Sequence, residues 1–193
     1  MTTPYYINLA PNRDITLYPR IVGRRGVQLG TEYRFLNKKQ AGEIGLQLLP
    51  TDRITNKDRW LARVSHTFRL SSNNSFGLSA IRVSDNNYFA DFGASVLAAS
   101  QRILPATVQI NGNFQGWQYL TMFQKYQVLQ DPGAPILPPY EWSPRIRFSN
   151  NRILKINKLD IDASGIFEMT HFTHPSMAEG TRIVGDANFS SPL

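Results

Sequence analysis

The sequence predicts an all-β chain: an antiparallel transmembrane β-barrel segment of about ten or eleven strands, forming an incomplete, open curved sheet. Three observations point there. Apolar and polar residues alternate with period two along most of the chain. Clusters of Gly, Asn, Asp and Ser punctuate the alternating runs. The connections between runs then alternate in length, short followed by long.

The runs can be taken in order. Residues 3–10 form the first. In the second, Ile15, Leu17, Pro19 and Ile21 share one face, with Thr16, Tyr18 and Arg20 on the other. Val27, Leu29, Thr31, Tyr33 and Phe35 then alternate with Gln28, Gly30, Glu32 and Arg34. Ile44, Leu46 and Leu48 oppose Glu43, Gly45 and Gln47. Trp60, Ala62, Val64, His66 and Phe68 oppose Leu61, Arg63, Ser65 and Thr67. Further runs cover 104–110, 117–128, 146–148, 159–172 and 182–189. Only "SVLAAS", 95–100, suggests a short helical turn, inside a loop. Pro4 and Pro19 stand inside alternating runs, where a missing N–H weakens a ladder, so each calls for an edge, a bulge or a strand end.

Composition narrows the function classes. The 193 residues suit one domain, taken as 1–193 with no separate second domain. A net charge of +7, from 21 Lys+Arg against 14 Asp+Glu, raises nucleic acid, anionic lipid or lipopolysaccharide as partners. Nucleic acid is set aside: Arg24-Arg25 and Lys38-Lys39 are pairs in turns, with no aromatic motif beside them. The absence of cysteine excludes a disulfide or a thiolate nucleophile within the chain. No run approaches the roughly 18 apolar residues of a spanning helix, and Met1 leads straight into a strand pattern without a leader-like segment.

Catalysis has little support. No nucleophile elbow, phosphate-binding glycine loop or dinucleotide fingerprint is present, so neither an enzyme nor a cofactor is expected. His171 and His174 invite a metal reading with Glu168, but residues three apart on a strand point to opposite faces, so no metal is assigned. "QDPGAPILPPYEWSP" reads as a stiff loop between two strands.

Two architectures share the strand pattern, a soluble sandwich and a membrane barrel. The loop lengths favour the barrel. Loops near 51–58, 85–100 and 129–143 are expected on one, extracellular rim, and tight turns near 11–13, 37–41, 71–75 and 111–115 on the other. The face chemistry agrees: Tyr18, Arg20, Gln28, Glu32, Arg34, Gln47 and Arg63 suit a watery lumen better than the Lys/Glu-rich exterior of a soluble sheet. Tyr5, Tyr6, Tyr33, Phe35, Trp60, Phe68, Trp117 and Tyr119 are candidates for interfacial girdles. On alternation alone, an arginine at Gln28 should be tolerated far better than one at Leu29.

"TPYYINLAPNRDITLYPRIVGRRGVQLGTEYRFL", "GEIGLQLLPTDR", "VSDNNYFADFG", "FQKYQVLQDPGAPILPPYEWSPRIRF" and "FTHPSMAEGTRIV" carry a specific resemblance. Together they cover nearly the whole chain and resemble the barrel domain of the LptD, or organic solvent tolerance, family of LPS-assembly proteins. The resemblance implies transport of lipopolysaccharide to the outer leaflet of the cell outer membrane through a lateral gate. It implies an LptE-like plug lipoprotein in the lumen and an LptA-like periplasmic bridge reaching an N-terminal jelly-roll domain. Pro4 matches a proline in the family's second strand, beside the lateral gate, where a missing ladder bond would ease opening. The family's first strand, its later strands and its jelly roll have no counterpart here, so an incomplete barrel, unable to transport by itself, is expected. The alternatives are a soluble β-sandwich carbohydrate-binding module and a generic porin-like barrel.

Overall fold

The computed structural model describes residues 3–93, 95–156 and 159–191. Among the described residues, eleven strands follow chain order through one sheet: β1 (Tyr5–Ala10), β2 (Arg13–Val22), β3 (Gly26–Leu36), β4 (Gln40–Asp52), β5 (Lys57–Arg69), β6 (Asn74–Val83), β7 (Ile103–Phe114), β8 (Trp117–Val128), β9 (Glu141–Ile156), β10 (Leu159–Thr173) and β11 (Gly180–Ser190). Each strand pairs with its neighbour in sequence, the order that hairpin connections produce. Two short helices, α1 (Tyr88–Phe92) and α2 (Val96–Ala99), lie in the connection between β6 and β7. The second occupies the expected helical turn. The first was not legible as a helix, because five residues are too few to show a 3.6-residue period.

One expected long loop is absent. β4 runs on to Asp52 and β5 begins at Lys57, leaving a four-residue turn, 53–56, in place of a loop at 51–58. The register shifts between Leu49 and Asp52, and Thr51 adopts φ 51°. Pro50 sits within that shift, where the ladder is already interrupted and a missing N–H costs least. Asp52 then closes the turn: its carboxylate accepts the Ile54 N–H at 3.0 Å and its carbonyl the Asn56 N–H at 2.7 Å. The connections at 84–102 and 129–140 are long, as expected.

The residues divide into two compact units. The first comprises 1–68, 78–106 and 126–138. Here the pairings Arg20↔Gln28, Gly30↔Gln47 and Gln47↔Leu61 run in register from β2 to β5. They place Ile21, Val27, Leu29, Leu48 and Trp60 on one face, all exposed. Leu49 and Leu61 belong to the opposite, polar-residue face by the same parity. Together with Val83, Tyr88, Phe89, Phe92, Leu104 and Leu129 they form the buried cluster. The core thus sits on the polar side, and the apolar side is bare.

The prolines and the adjacent tyrosines fall into place on this register. β1 pairs with β2 only as far as Tyr5↔Leu17, so at Pro19 strand β2 is paired on the β3 side alone. No bulge is present there; the register runs straight through Pro19↔Leu29. Pro4 lies immediately before β1, the edge strand, rather than inside it. Tyr5 and Tyr6 stand opposite Leu17 and Thr16, so they occupy opposite faces and cannot share one girdle.

The second unit comprises 69–77, 107–125 and 139–193. It is built on the long β9–β10 and β10–β11 ladders. Glu168 is buried between Arg145 (2.7 Å) and Arg182 (3.4 Å). His171 Nδ1 meets Thr181 Oγ1 at 2.9 Å, whereas His174, beyond the end of β10, accepts the Ser176 N–H at 3.0 Å.

The two faces of the first unit make a direct prediction. Leu29→Arg should destabilise the protein in lipid vesicles, by about 2–4 kcal/mol if that position faces the bilayer midplane. Ser65→Arg, on the polar face opposite Glu43, should cost far less. Urea unfolding of both variants in vesicles reads the difference. Equal losses would show the faces to be misassigned.

Candidate functional site

The long connection after β6 folds back onto the polar face of the first unit. Ser84 begins the turn, its N–H donating to the Trp60 carbonyl at 2.9 Å. Asp85 accepts the Asn87 N–H at 3.0 Å, and α1 follows with Tyr88, Phe89 and Phe92 all buried.

Two arginines hold this segment. Arg59 of β5 is 3% exposed and Asp52 is wholly buried. The Arg59 guanidinium donates to Asp85 at 2.5 Å, to Asp91 at 3.0 Å and to Asp52 at 3.1 Å. It lies 4.9 Å from the ring centre of Phe92 and 5.9 Å from that of Tyr88. Its Nη2 has no hydrogen-bond partner among the described residues, so the aromatic faces are its remaining company. Arg25 closes the network from the β2–β3 turn, reaching Asp52 at 2.7 Å and Asp91 at 2.6 Å. That turn is bracketed by Gly23 (φ 44°) and Gly26 (φ 130°), backbone conformations that only glycine adopts cheaply. The Arg25 carbonyl accepts the Arg53 N–H at 3.0 Å, binding the β2–β3 turn to the β4–β5 turn.

Below the network, Tyr88 reaches the sheet. Its hydroxyl accepts from Gln28 Nε2 at 3.0 Å and donates to Gln47 Oε1 at 3.0 Å. Burial pushes the phenol up to about 12, against the opposing pull of Arg59 and of the Gln28 hydrogen bond. The hydroxyl therefore stays protonated and can donate at any pH near neutrality. Arg20 adds a long bond of 3.4 Å to the Phe92 carbonyl.

A cavity of about 300 Å³ opens on the same face. Tyr18, Arg20, Gln28, Glu32, Gln47 and Arg63 line it, six of the seven polar-face residues singled out from alternation. Within it Arg63 binds Glu32 at 2.5 Å, and it also reaches Glu43 at 2.7 Å. Arg34 shares the face but lies outside the cavity, paired with Asp14 at 2.9 Å. Pro4 takes no part in it. Gln28 is not the permissive position that alternation implies: it is buried beneath Tyr88, and an arginine there would break that bond.

Sequence reasoning did not single out Arg25, Asp52, Arg59, Asp85, Tyr88 or Asp91. One signal pointed to them: the acidic and aromatic residues of "SDNNYFADF" lie in a long loop, and the Arg24-Arg25 pair supplies cations in a turn. Alternation cannot report such a contact, because it concerns a loop and a strand distant in sequence. No group of acidic and histidine side chains suited to a metal occurs among the described residues.

The family model described as "LptD: LPS transport system D" matches residues 57–193. The chain belongs to the LptD family. The LPS-assembly protein LptD of Ralstonia nicotianae is 34% identical over 192 residues, covering 100% of this chain and 23% of that protein. That of Nitrosomonas eutropha is 34% identical over 199 residues, covering 100% of this chain and 27% of the relative. That of Bordetella avium reaches 40% over 147 residues, 76% of this chain and 18% of the relative. The chain thus spans about a quarter or less of the length of these curated relatives. The "VSDNNYFADFG" segment that carries part of the family resemblance contains four of the residues in the arginine network and its aromatic bed: Asp85, Tyr88, Asp91 and Phe92.

Removing Arg59 should release the loop. Arg59→Met leaves Asp52 buried with one partner fewer, a loss of about 3–5 kcal/mol for breaking a buried pair. Arg25→Met should cost less, because Arg25 is more exposed and Asp52 keeps Arg59. Denaturant unfolding gives both values, and limited proteolysis should show new cleavage between residues 84 and 93 in Arg59→Met. An intact loop with unchanged stability would disprove the clamp.

Proposed function

We propose that this chain forms part of the wall of an outer-membrane β-barrel that passes lipopolysaccharide to the outer leaflet. Its apolar face meets lipid, and its polar face looks into the lumen. One observation carries the reading most: the exposed side of the first unit is apolar, while its buried core and its ion network lie on the polar side. A water-soluble sheet has the reverse arrangement. Antiparallel strands of 10–13 residues from β2 to β6 are also long enough to cross a bilayer when tilted. Membership of a family described as an LPS transport system supplies the cargo.

In this reading no covalent bond is made or broken. Lipopolysaccharide moves along the barrel, and outer-membrane lipid surrounds it. An LptE-like lipoprotein fills the lumen against the polar face, where Arg20, Glu32 and Arg63 line the cavity. An LptA-like bridge delivers cargo to a jelly-roll domain outside this chain. Pro4 stands at the edge strand, the position where a weak seam serves as a lateral gate. The clamped loop narrows the lumen beside the wall.

Depletion of the protein from growing cells tests the reading. Newly labelled lipopolysaccharide should stop reaching the cell surface and accumulate within the envelope. Normal surface delivery with impaired uptake of small solutes would favour a porin instead.

A further inference from the structure

The apolar face of the first unit is interrupted at one end of β2. Arg13 stands directly opposite Phe35 in the β2–β3 register, on the same face as Ile15, Leu17 and Ile21. It has no carboxylate partner among the described residues; neighbouring Asp14 faces the other way and pairs with Arg34. An uncompensated guanidinium at the margin of a lipid-facing surface is a recognition element for an anion held at the membrane interface.

A notch of about 320 Å³ is built around it. Tyr33 and Phe35 stack at 5.7 Å, and Phe35 continues to His66 at 5.5 Å. The Phe35 ring lies across Gly42: a Cβ there would stand 2.6 Å from the ring, so the bare glycine is what lets the ring come this close to β4. Amides form the polar wall, with Asn12 donating to Asn37 and Gln40 Oε1 3.3 Å from His66 Nε2. Apolar strand surface below, aromatic rings at the boundary and a forked cation above match the layers of a phospholipid from chains to headgroup.

We propose that this notch binds a glycerophospholipid, with Arg13 holding the phosphodiester and the Tyr33–Phe35 stack bearing on the first acyl carbons. The inference rests on the reading that the apolar face meets lipid. An ordered lipid here would seal the end of the β2–β4 surface, where hydrophobic side chains give way to the turns at 11–12 and 37–39.

The test uses the full-length protein extracted from outer membranes in mild detergent. Native mass spectrometry counts molecules bound after addition of dioleoyl phosphatidylglycerol or, as a zwitterionic control, dioleoyl phosphatidylcholine. The wild-type protein should favour phosphatidylglycerol, and Arg13→Gln should lower its occupancy about tenfold, the loss of one charge-assisted bond. Arg24→Gln removes the same charge from an exposed turn at the other end of β2 and should change nothing. Arg13→Lys should keep the preference for the anionic lipid, which guards against a folding defect. Equal losses from Arg13→Gln and Arg24→Gln, no loss from either, or competition by inorganic phosphate as strong as by the lipid would overturn the proposal. Quenching of Trp60 by brominated acyl chains, absent in Trp60→Phe, reports separately on the membrane reading. If the quenching persists while Arg13→Gln has no effect, the notch alone is refuted. Absence of quenching removes the membrane reading and the notch together.

Discussion

A slip of one residue in the pairings from β2 to β5 would reverse every side chain of the slipped strand. The structure depends on that not happening. With Arg20 opposite Gln28, Gly30 opposite Gln47 and Gln47 opposite Leu61, four strands keep one set of side chains on each side. Everything else follows from this register. It exposes Leu29, Leu48 and Trp60 together, and it aims Gln28, Gln47 and Arg59 at a common point where a loop can be caught.

The loop, in turn, explains why charged residues are buried in a sheet with a bare apolar face. Asp52 and Arg59 leave water only because each is met by opposite charge and by hydrogen bonds from several directions. The buried pair brings little net stability by itself; its value lies in fixing where α1 sits, since Asp85 and Asp91 must both meet the same guanidinium. Tyr88 then completes the seat by bridging two strands through Gln28 and Gln47. The connection 84–102 is in this sense part of the sheet's polar face.

Much of the fold was legible because strand alternation is local information. The parity of Ile15 to Ile21, of Val27 to Phe35 and of Trp60 to Phe68 follows from side chains two residues apart, and the observed registers preserve it. Strand ends were less legible. β4 continues through Pro50 because a register shift absorbs the missing N–H, and no property of Pro50 itself announces the shift. β9 extends over 141–156, where only 146–148 alternates clearly, since its pairing to β10 stabilises polar stretches that show no pattern of their own. Of the candidate site, alternation located the lining residues Tyr18, Arg20, Glu32 and Arg63. It could not find the clamp, because Arg25 and Arg59 meet Asp85 and Asp91 through tertiary contacts of 26 to 66 residues' separation.

The central claim is that the two faces of β4 meet different solvents, lipid on one side and water or protein on the other. Nitroxide labels placed singly at residues 43 to 48 of the protein in vesicles measure this directly, by collision with oxygen and with a water-soluble nickel chelate. The account predicts a period-two oscillation, with oxygen favoured at Ile44, Leu46 and Leu48 and its minima at Glu43, Gly45 and Gln47. High nickel access at all six positions, with no alternation, would contradict it.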